Sequence, residues 1–409
     1  MSFGFQFDDS EMDEEYISGS LSSIQPSAAS TSTSTSASST TTAAPFKSHS
    51  LREMLQNLPS RISYSAIDVS LPSTSREGEG EGGGKGRVQR LLRRDLFDAR
   101  FQMLIDEEED EATDSGTAQK STRQQMVDGK VDAHSDLVPG VYEGGLKTWE
   151  CALDLVETLD ALHSTASHND SSRSTWSHRL SGKHILELGC GTSLPSVFLL
   201  DQVLRDDPST QPINLNLHLA DYNAQVLQLV TLPNLILAWY ASPAASHYRS
   251  TTEATHLVHE RNELVRRGQD HFHAEDELAI TDQLVAAFDE SLKSRGIQLN
   301  FYSGAWSNFP SSLFGDGGVH KMDIILTSET IYSLHSLPAL VELLSRYTQT
   351  EAQHQPALVL VAAKVIYFGV GGGVESFKQT LAEMHPSATV EPIHSVTKGV
   401  GRTVLSVTF

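Results

Sequence analysis

Residues 185–197 read ILELGCGTSLPSV. An apolar run ends in Glu187-Leu188-Gly189-Cys190-Gly191, and a helix is expected to begin near Ser193. Glycines at 189 and 191 allow open backbone angles and let a ligand approach the main chain. Strand, glycine turn and helix in this order make the first turn of a Rossmann-like fold. The run departs from the dinucleotide fingerprint at one place: Leu194 stands where GxGxxG has its third glycine. No Gly-Lys-Ser or Gly-Lys-Thr occurs, which excludes a P-loop. A nucleoside ligand without a pyrophosphate tolerates this departure.

Working outward, six further β runs follow HILELG (184–189): NLHLAD (216–221), LNFYSG (299–304), DIILTSE (323–329), ALVLVAAK (357–364), ATVEPIHS (388–395) and RTVLSVTF (402–409). The first five strands alternate with helical stretches, which implies a mostly parallel α/β sheet with helices on both faces. TKGVG joins the last two as an antiparallel pair. Before the first strand, LKTWECALDLVETLDALH (146–163) sets Leu146, Trp149, Leu153, Val156 and Leu162 on one helical face. One connection is too long for a plain loop. Between strands two and three, EATHLVHERNELVRR (253–267) and ELAITDQLVAAFDESLKSR (277–295) read as a helical pair, inserted over about 241–297.

The composition changes upstream of residue 134. Phe3, Phe5 and Phe7 sit among acids, Ser30–Thr42 is almost wholly Ser and Thr, and REGEGEGGGKGR (76–87) and DEEEDE (106–111) are low in complexity. Such tracts cannot bury enough apolar surface to offset their ordering entropy. A short helix is expected near Leu51–Leu58, and an amphipathic helix over RVQRLLRRDLFDARFQMLI (87–105). Residues 1–133 are otherwise expected to be largely disordered, and 134–409 to form the folded domain. Removing 1–110 should then leave the melting transition nearly unchanged.

Acids outnumber Lys and Arg by 52 to 30, a net charge of −22. Phosphate backbones need Lys and Arg to displace counterions, so direct nucleic-acid binding is not expected and a basic protein partner is. Two cysteines, Cys151 and Cys190, make neither a disulfide framework nor a CxxC zinc site, and no metal is expected. No run approaches the ~18 apolar residues of a membrane span, and no signal sequence opens the chain. A soluble monomer of the cytoplasm and nucleus is the expectation.

The acid that ends the second strand is Asp221, in LADYN. There it can accept hydrogen bonds from both hydroxyls of a ribose, outside the carboxyl ends of the strands where open α/β sheets bind ligands. With the glycine loop it points to S-adenosylmethionine. The bland alternative for Asp221 is a helix cap. Cys190 reads as a small residue packed under the cofactor. Trp306, after Gly304-Ala305, either flanks the adenine or packs as a core aromatic, and Trp149 has the same two readings. Thr327-Ser328-Glu329-Thr330-Ile331-Tyr332 closes the fourth strand, where polar groups face the reacting methyl. Lys364–Gly373, with two aromatics leading into glycines, suggests a loop that shapes a substrate cleft.

DLVPGVYEGGLKTWEC, ILELGCG, LADYNAQVLQLVTLPN, YSGAWSNF, ILTSETIYS and KVIYFGVGGG together resemble one family. It is the seven-strand protein-histidine N-methyltransferases that act on a histidine of large-subunit ribosomal protein three. The resemblance implies a Rossmann-like methyltransferase sheet over about 134–409. It implies that Thr148, Trp149, Glu150, Cys151 and Ala152 cover the cofactor and that Glu187, Gly189 and Gly191 form its loop. Asp221, Tyr222 and Asn223 match the ribose contact, and Gly304, Ala305 and Trp306 the adenine side. Ser328 lies near the methyl donor. Two departures stand out: the family usually has an acid at Ala305, and Ser-Lys at Ala363-Lys364. Glu329, with Ser328, is the expected acceptor for the non-reacting N–H of a target imidazole. A lysine methyltransferase of the same fold and a non-catalytic ribosome-assembly module are the rival readings.

Overall fold

The computed structural model describes residues 43–71, 87–100, 102, 137–138, 142–169, 175–206, 212–251, 276–313, 321–348, 356–368 and 371–409. Strands in chain order are β1 (Lys47–His49), β2 (Arg61–Leu71), β3 (Arg87–Arg94), β4 (Leu137–Val138), β5 (Tyr142–Glu143), β6 (His184–Leu188) and β7 (Leu215–Asp221). They continue as β8 (Asp276–Ala279), β9 (Ile297–Ser303), β10 (Ile324–Ser328), β11 (Leu358–Lys364), β12 (Thr389–Val396) and β13 (Arg402–Thr408). All seven strands expected from sequence are present, with ends within two residues of the reading. They form an eight-stranded sheet in the order β1-β9-β7-β6-β10-β11-β13-β12.

Pairing from β9 through β7, β6 and β10 to β11 is parallel, and β13 runs antiparallel to both β11 and β12. Parallel strands buried on both faces read as continuous apolar runs, and β11 shows why. Leu360 and Ala362 join one core, while Val359, Val361 and Ala363 join the other. The first core lies under helices Glu150–Asn169, Leu194–Arg205, Leu232–Ala241 and Asp282–Arg295, through Leu155, Phe198, Leu235 and Phe288. The second lies under Leu337–Thr348 and Val374–Met384, through Val341 and Phe377. After β6 the chain winds to one side through β7 and β9, then returns to β10 on the other side of β6. That reversal opens a crevice beyond the carboxyl ends of β6 and β10.

Three expectations need correction. First, the folded unit begins at Ala43 rather than residue 134. β1 adds an antiparallel edge to β9, and Leu51–Gln56 is the expected short helix, capped where Ser50 Oγ accepts Glu53 N–H at 3.2 Å. Residues 87–94 are a strand, not the first half of a helix; among the described residues, 96–100 and 102 are helical. Val88, Leu91 and Leu92 fit a helical spacing. However, β2 supplies a long-range partner for every residue of β3, from Leu71↔Arg87 to Tyr64↔Arg94. Ile62, Val69, Leu71 and Leu91 from this pair enter the first core.

Second, the later expected helix of the insertion does not begin at Glu277. DELA is β8, which joins β2 and β3 in a second, three-stranded sheet. Asp282–Arg295 is the crossover helix into β9, begun by Thr281, whose Oγ1 accepts Leu284 N–H at 3.1 Å. EATHLVHERNELVRR lies outside the described residues. Third, Leu146 and Trp149 precede the helix that starts at Glu150, and Leu162 is exposed. The buried face is Cys151, Ala152, Leu155, Val156 and Leu159.

Ala224–Ala241 is long and apolar enough to cross a bilayer by composition, but 72% of that window is buried inside the fold. It is a core helix interrupted by a π stretch, Leu227–Thr231. Pro233 explains the interruption. It has no N–H for Leu229 O, and its ring crowds the preceding turn. The buried Arg94 guanidinium of β3 fills the gap, donating to Leu229 O at 2.7 Å and pairing with Asp98 at 2.6 Å. Arg94 N–H donates to Asn234 Oδ1 at 2.7 Å, and Asn234 donates to Thr192 O, beside the glycine loop, at 2.9 Å.

A chain starting at residue 101 should therefore not melt like the full chain. Burial of Ile62, Val69, Leu71 and Leu91 at about 1.5–3 kcal/mol each contributes roughly 6–12 kcal/mol, as large as a whole domain's net stability. Calorimetry should show a lowered, broadened transition or none. An unchanged melting point would assign these strands no share in stability.

Candidate active site

Asp221 ends β7 and is nearly buried. Its Oδ2 accepts the N–H of Gly191 at 2.9 Å, and Oδ1 accepts the N–H of Asn223 at 3.2 Å. The carboxylate thus fixes the glycine loop of the neighbouring strand. Gly189 and Gly191 have φ of 62° and 48°, in the left-handed region that side chains resist. A Cβ on Gly189 would also meet Thr330 Cγ2 at 2.5 Å. Thr231, released by the π stretch, donates to Gly191 O at 2.7 Å.

Beneath the loop lies Glu187, fully buried. Its Oε2 accepts from Ser193 Oγ at 3.1 Å, from Ser196 N–H at 3.0 Å, and from Ser196 Oγ. Burial pushes its carboxyl up to about 7, against the pull of these donors. Glu187 therefore ties β6 to the start of helix Leu194–Arg205 from below. Cys190 has its thiol pushed well up by burial, then by the charges of Asp221 and Glu187. It is a packing residue with no thiolate to react.

Above the loop is a cleft of about 610 Å³, its open mouth included. Gly189, Gly191, Asp221 and Tyr222 line one side. Trp149 and Ala152 line another, with the Trp149 indole N–H on Gly144 O at 2.9 Å. The Nζ atoms of Lys147 and Lys364 stand 5.1 and 5.3 Å from its ring. Trp306 stands near Gly189.

Ser328, Glu329, Thr330 and Tyr332 close the remaining wall, at the end of β10. Glu329 has φ 57°, rare for a side chain-bearing residue. Such a conformation costs about 1–3 kcal/mol and clusters at functional sites. Its N–H donates to Ala362 O at 3.0 Å, and Oε2 accepts the Tyr367 hydroxyl at 2.6 Å. Oε1 is buried and has no hydrogen-bond partner among the described residues. Burial, then the Glu329 charge, pushes both the Tyr367 phenol and the Cys151 thiol up, so both stay protonated.

The structure gathers twelve of the residues singled out from sequence around this cleft: Trp149, Ala152, Gly189, Cys190, Gly191, Asp221, Tyr222, Trp306, Ser328, Glu329, Thr330 and Tyr332. The others stand one layer back. Thr148 Oγ1 and Thr192 Oγ1 are 3.1 Å apart, Glu150 lies 3.5 Å from Arg402, and Cys151 is buried beside Glu329. Asn223 caps the next helix, its Oδ1 accepting Gln225 N–H at 3.0 Å. Gly304 is pressed against Pro45, and Ala305 N–H donates to Ala44 O at 3.0 Å. Both belong to the seam with the N-terminal segment. The reading passed over Gly144, Gly145, Lys147 and Thr192, which also line the cleft. The Gly-Gly pair before Leu146 was the available signal.

A doubly wound sheet, a glycine loop at its switch point and an acid ending the next strand define the class: a Rossmann-like, S-adenosylmethionine-dependent methyltransferase. No protein-family model matches the sequence. Histidine protein methyltransferase 1 of Saccharomyces cerevisiae is 33% identical over 78% of this chain and 76% of its own. Its Schizosaccharomyces pombe counterpart is 28% identical over 88% and 84%. The chain belongs to the histidine protein methyltransferase 1 family. Among solved structures, an rRNA methyltransferase, aviRa of Streptomyces viridochromogenes, aligns over 67% of this chain and 91% of its own. Its identity is 14% and its TM-score 0.32, a loose likeness that adds nothing to the assignment.

Two predictions test the two buried carboxylates. Asp221→Asn should weaken S-adenosylmethionine binding, since charge-assisted hydrogen bonds are worth about 1.5–3 kcal/mol each. Because Asp221 also fixes Gly191, Asp221→Ala should in addition lower the melting point. Unchanged affinity in titration calorimetry would remove Asp221 from the cofactor site. For Glu187, the folded-state value near 7 lies above the ordinary value of about 4.3 in an unfolded chain. The folded state then holds a proton that the unfolded state has lost, so stability falls as pH rises between these values and levels off above. The stability difference between wild type and Glu187→Gln should shift against wild type by up to roughly 4 kcal/mol over that window. A difference independent of pH would disprove the raised value.

Proposed function

We propose that this enzyme transfers a methyl group from S-adenosylmethionine to a ring nitrogen of a histidine in a basic protein of the large ribosomal subunit. The residues present fit the cofactor. Asp221 retains acceptor capacity beyond Gly191 and Asn223, since a carboxylate offers about four lone-pair sites, and would take the ribose hydroxyls. Gly189 leaves the main chain open, and Trp306 would flank the adenine. When bound, S-adenosylmethionine supplies an electrophilic methyl carried on a sulfonium.

The observation that carries the choice of acceptor is Glu329. Tyr367 occupies one carboxylate oxygen and the Cys151 thiol lies beside the carboxylate, while Oε1, on a residue that lines the cleft, takes no nitrogen or oxygen donor among the described residues. A buried lone acceptor is costly unless something arrives to use it. An imidazole N–H matches it. Accepting that N–H fixes the tautomer, leaves the other nitrogen with its lone pair toward the methyl donor, and stabilises the positive charge that develops on the ring. With an ordinary pKa near 6.5, imidazole is mostly neutral at pH 7 and needs no strong base. Alignment of nucleophile and methyl then supplies much of the rate. Ser328, beside Glu329, adds a second polar contact. The net charge of −22 favours a basic substrate. A ribosomal protein, made in the cytoplasm and assembled in the nucleus, sets both as the places of action.

Mass spectrometry of ribosomal proteins from cells lacking the enzyme should show one histidine without its methyl group, restored by the wild-type protein. Glu329→Ala should lower single-turnover methylation by about 10²–10³, the usual cost of removing a preorganised charge-stabilising group. Glu329→Gln keeps an acceptor and should lose less, and both should bind cofactor normally. Intact turnover with a lowered melting point would make Glu329 a structural residue only.

A further inference from the structure

Beside the Glu329 wall, the chain exposes large apolar side chains that no packing among the described residues explains. Leu334 is 52% exposed, Ile366 55% and Phe368 70%. They sit on two loops tied to one another and to the cleft. Ser333 pairs with Gly371 and Ile366 with Gly373 as isolated antiparallel bridges, and Val374 N–H donates to Val365 O at 3.2 Å. Leu334 Cδ1 lies 3.4 Å from where a Cβ on Gly371 would be. Gly372 packs so tightly on the carbonyl of Tyr332 that a Cβ would come within 2.1 Å of it. Tyr332 lines the cleft, with its ring 6.2 Å from that of Tyr367.

Alternation along the second loop separates two tasks. Tyr367 turns inward to Glu329, while Ile366 and Phe368 on either side of it turn out to solvent. Leu334 follows Tyr332 by two residues and stands outside the same wall. Any chain that presents a side chain to Glu329 must run its neighbouring residues across this rim. Apolar surface held on a bridged frame and continuous with a catalytic cleft is the usual form of a recognition patch.

We propose that Leu334, Ile366 and Phe368 form an apolar seat for the substrate polypeptide, and that the target histidine has a large apolar residue adjacent in sequence. The proposal rests on the preceding reading of the cleft. It assigns specificity to a surface outside the cofactor site: Glu329 selects the imidazole, and the rim selects the segment that carries it.

The test uses the full chain, S-adenosylmethionine and large-subunit ribosomal proteins extracted from cells lacking the enzyme, with the methylated residue mapped by mass spectrometry. The triple variant Leu334→Ser, Ile366→Ser, Phe368→Ser should raise KM for this pool about tenfold or more, the scale of truncating interface anchors. Its kcat at saturation, cofactor affinity and melting point should match wild type, because none of the three residues touches the cofactor site or the cores. The mapped histidine should have Trp, Phe, Leu, Ile, Met or Val next to it. An unchanged KM, or a target flanked only by polar residues, overturns the proposal. So does a wild-type dimer that the variant dissolves, which would give the rim to a second copy. Binding of wild type, but not the variant, to phosphatidylcholine vesicles would give it to a lipid surface and overturn the proposal as well. If wild type methylates no histidine in the pool, the reading of the cleft itself fails, an outcome distinct from all of these.

Discussion

The hydrogen bond from Gly191 N–H to Asp221 is the tie on which the rest of the site depends. It joins the loop after β6, beside the switch point between β6 and β10, to the end of β7. A loop with left-handed glycines on both sides of one residue, Cys190, has high entropy when free. A buried carboxylate, with fixed donors on either side, removes that freedom before any ligand arrives. The remaining contacts reinforce it from other directions: Thr231 on Gly191 O, Asn234 on Thr192 O, and Glu187 from beneath through Ser193 and Ser196.

Two further buried carboxylates have different tasks because their surroundings differ. Glu187 gathers three donors on Oε2 beneath the glycine loop and ties β6 to the helix that follows, so it serves the frame. Glu329 has one oxygen held by Tyr367 and one left over, on a residue kept in a conformation that L side chains avoid. The same division appears along 366–368, where Tyr367 faces in and its neighbours face out.

The segment 43–100 is part of the machinery. Arg94 fills the hydrogen-bond gap that Pro233 leaves in the core helix, and through Asn234 it reaches the loop. Ala44 and Pro45 close the edge of the sheet at Gly304 and Ala305, two positions first read as the adenine side. A proline that would otherwise break a helix at the site is accommodated by a strand far away in sequence.

The amino-acid sequence alone determined the seven strands, because apolar runs of β length alternating with helical periodicity are local signals. It also determined the loop at Gly189–Gly191 and the acid at Asp221, because their types and spacing carry the chemistry. The short helix after Ser50 was readable in place, whereas the helix that follows Thr281 was read as starting at Glu277. Only the tertiary structure decided that RVQRLLRR is a strand, since its partner lies across a low-complexity stretch and the local spacing fits a helix equally well. The same holds for β8, read as the start of a helix until β2 is beside it. Nor could spacing tell that Glu150, Cys151 and Asn223 stand behind the cleft while Ala152 and Tyr222 face it. Which side a residue takes at the end of an element depends on what packs there. Tyr367 and Glu329 are 38 residues apart, and nothing local to either one marks that they meet.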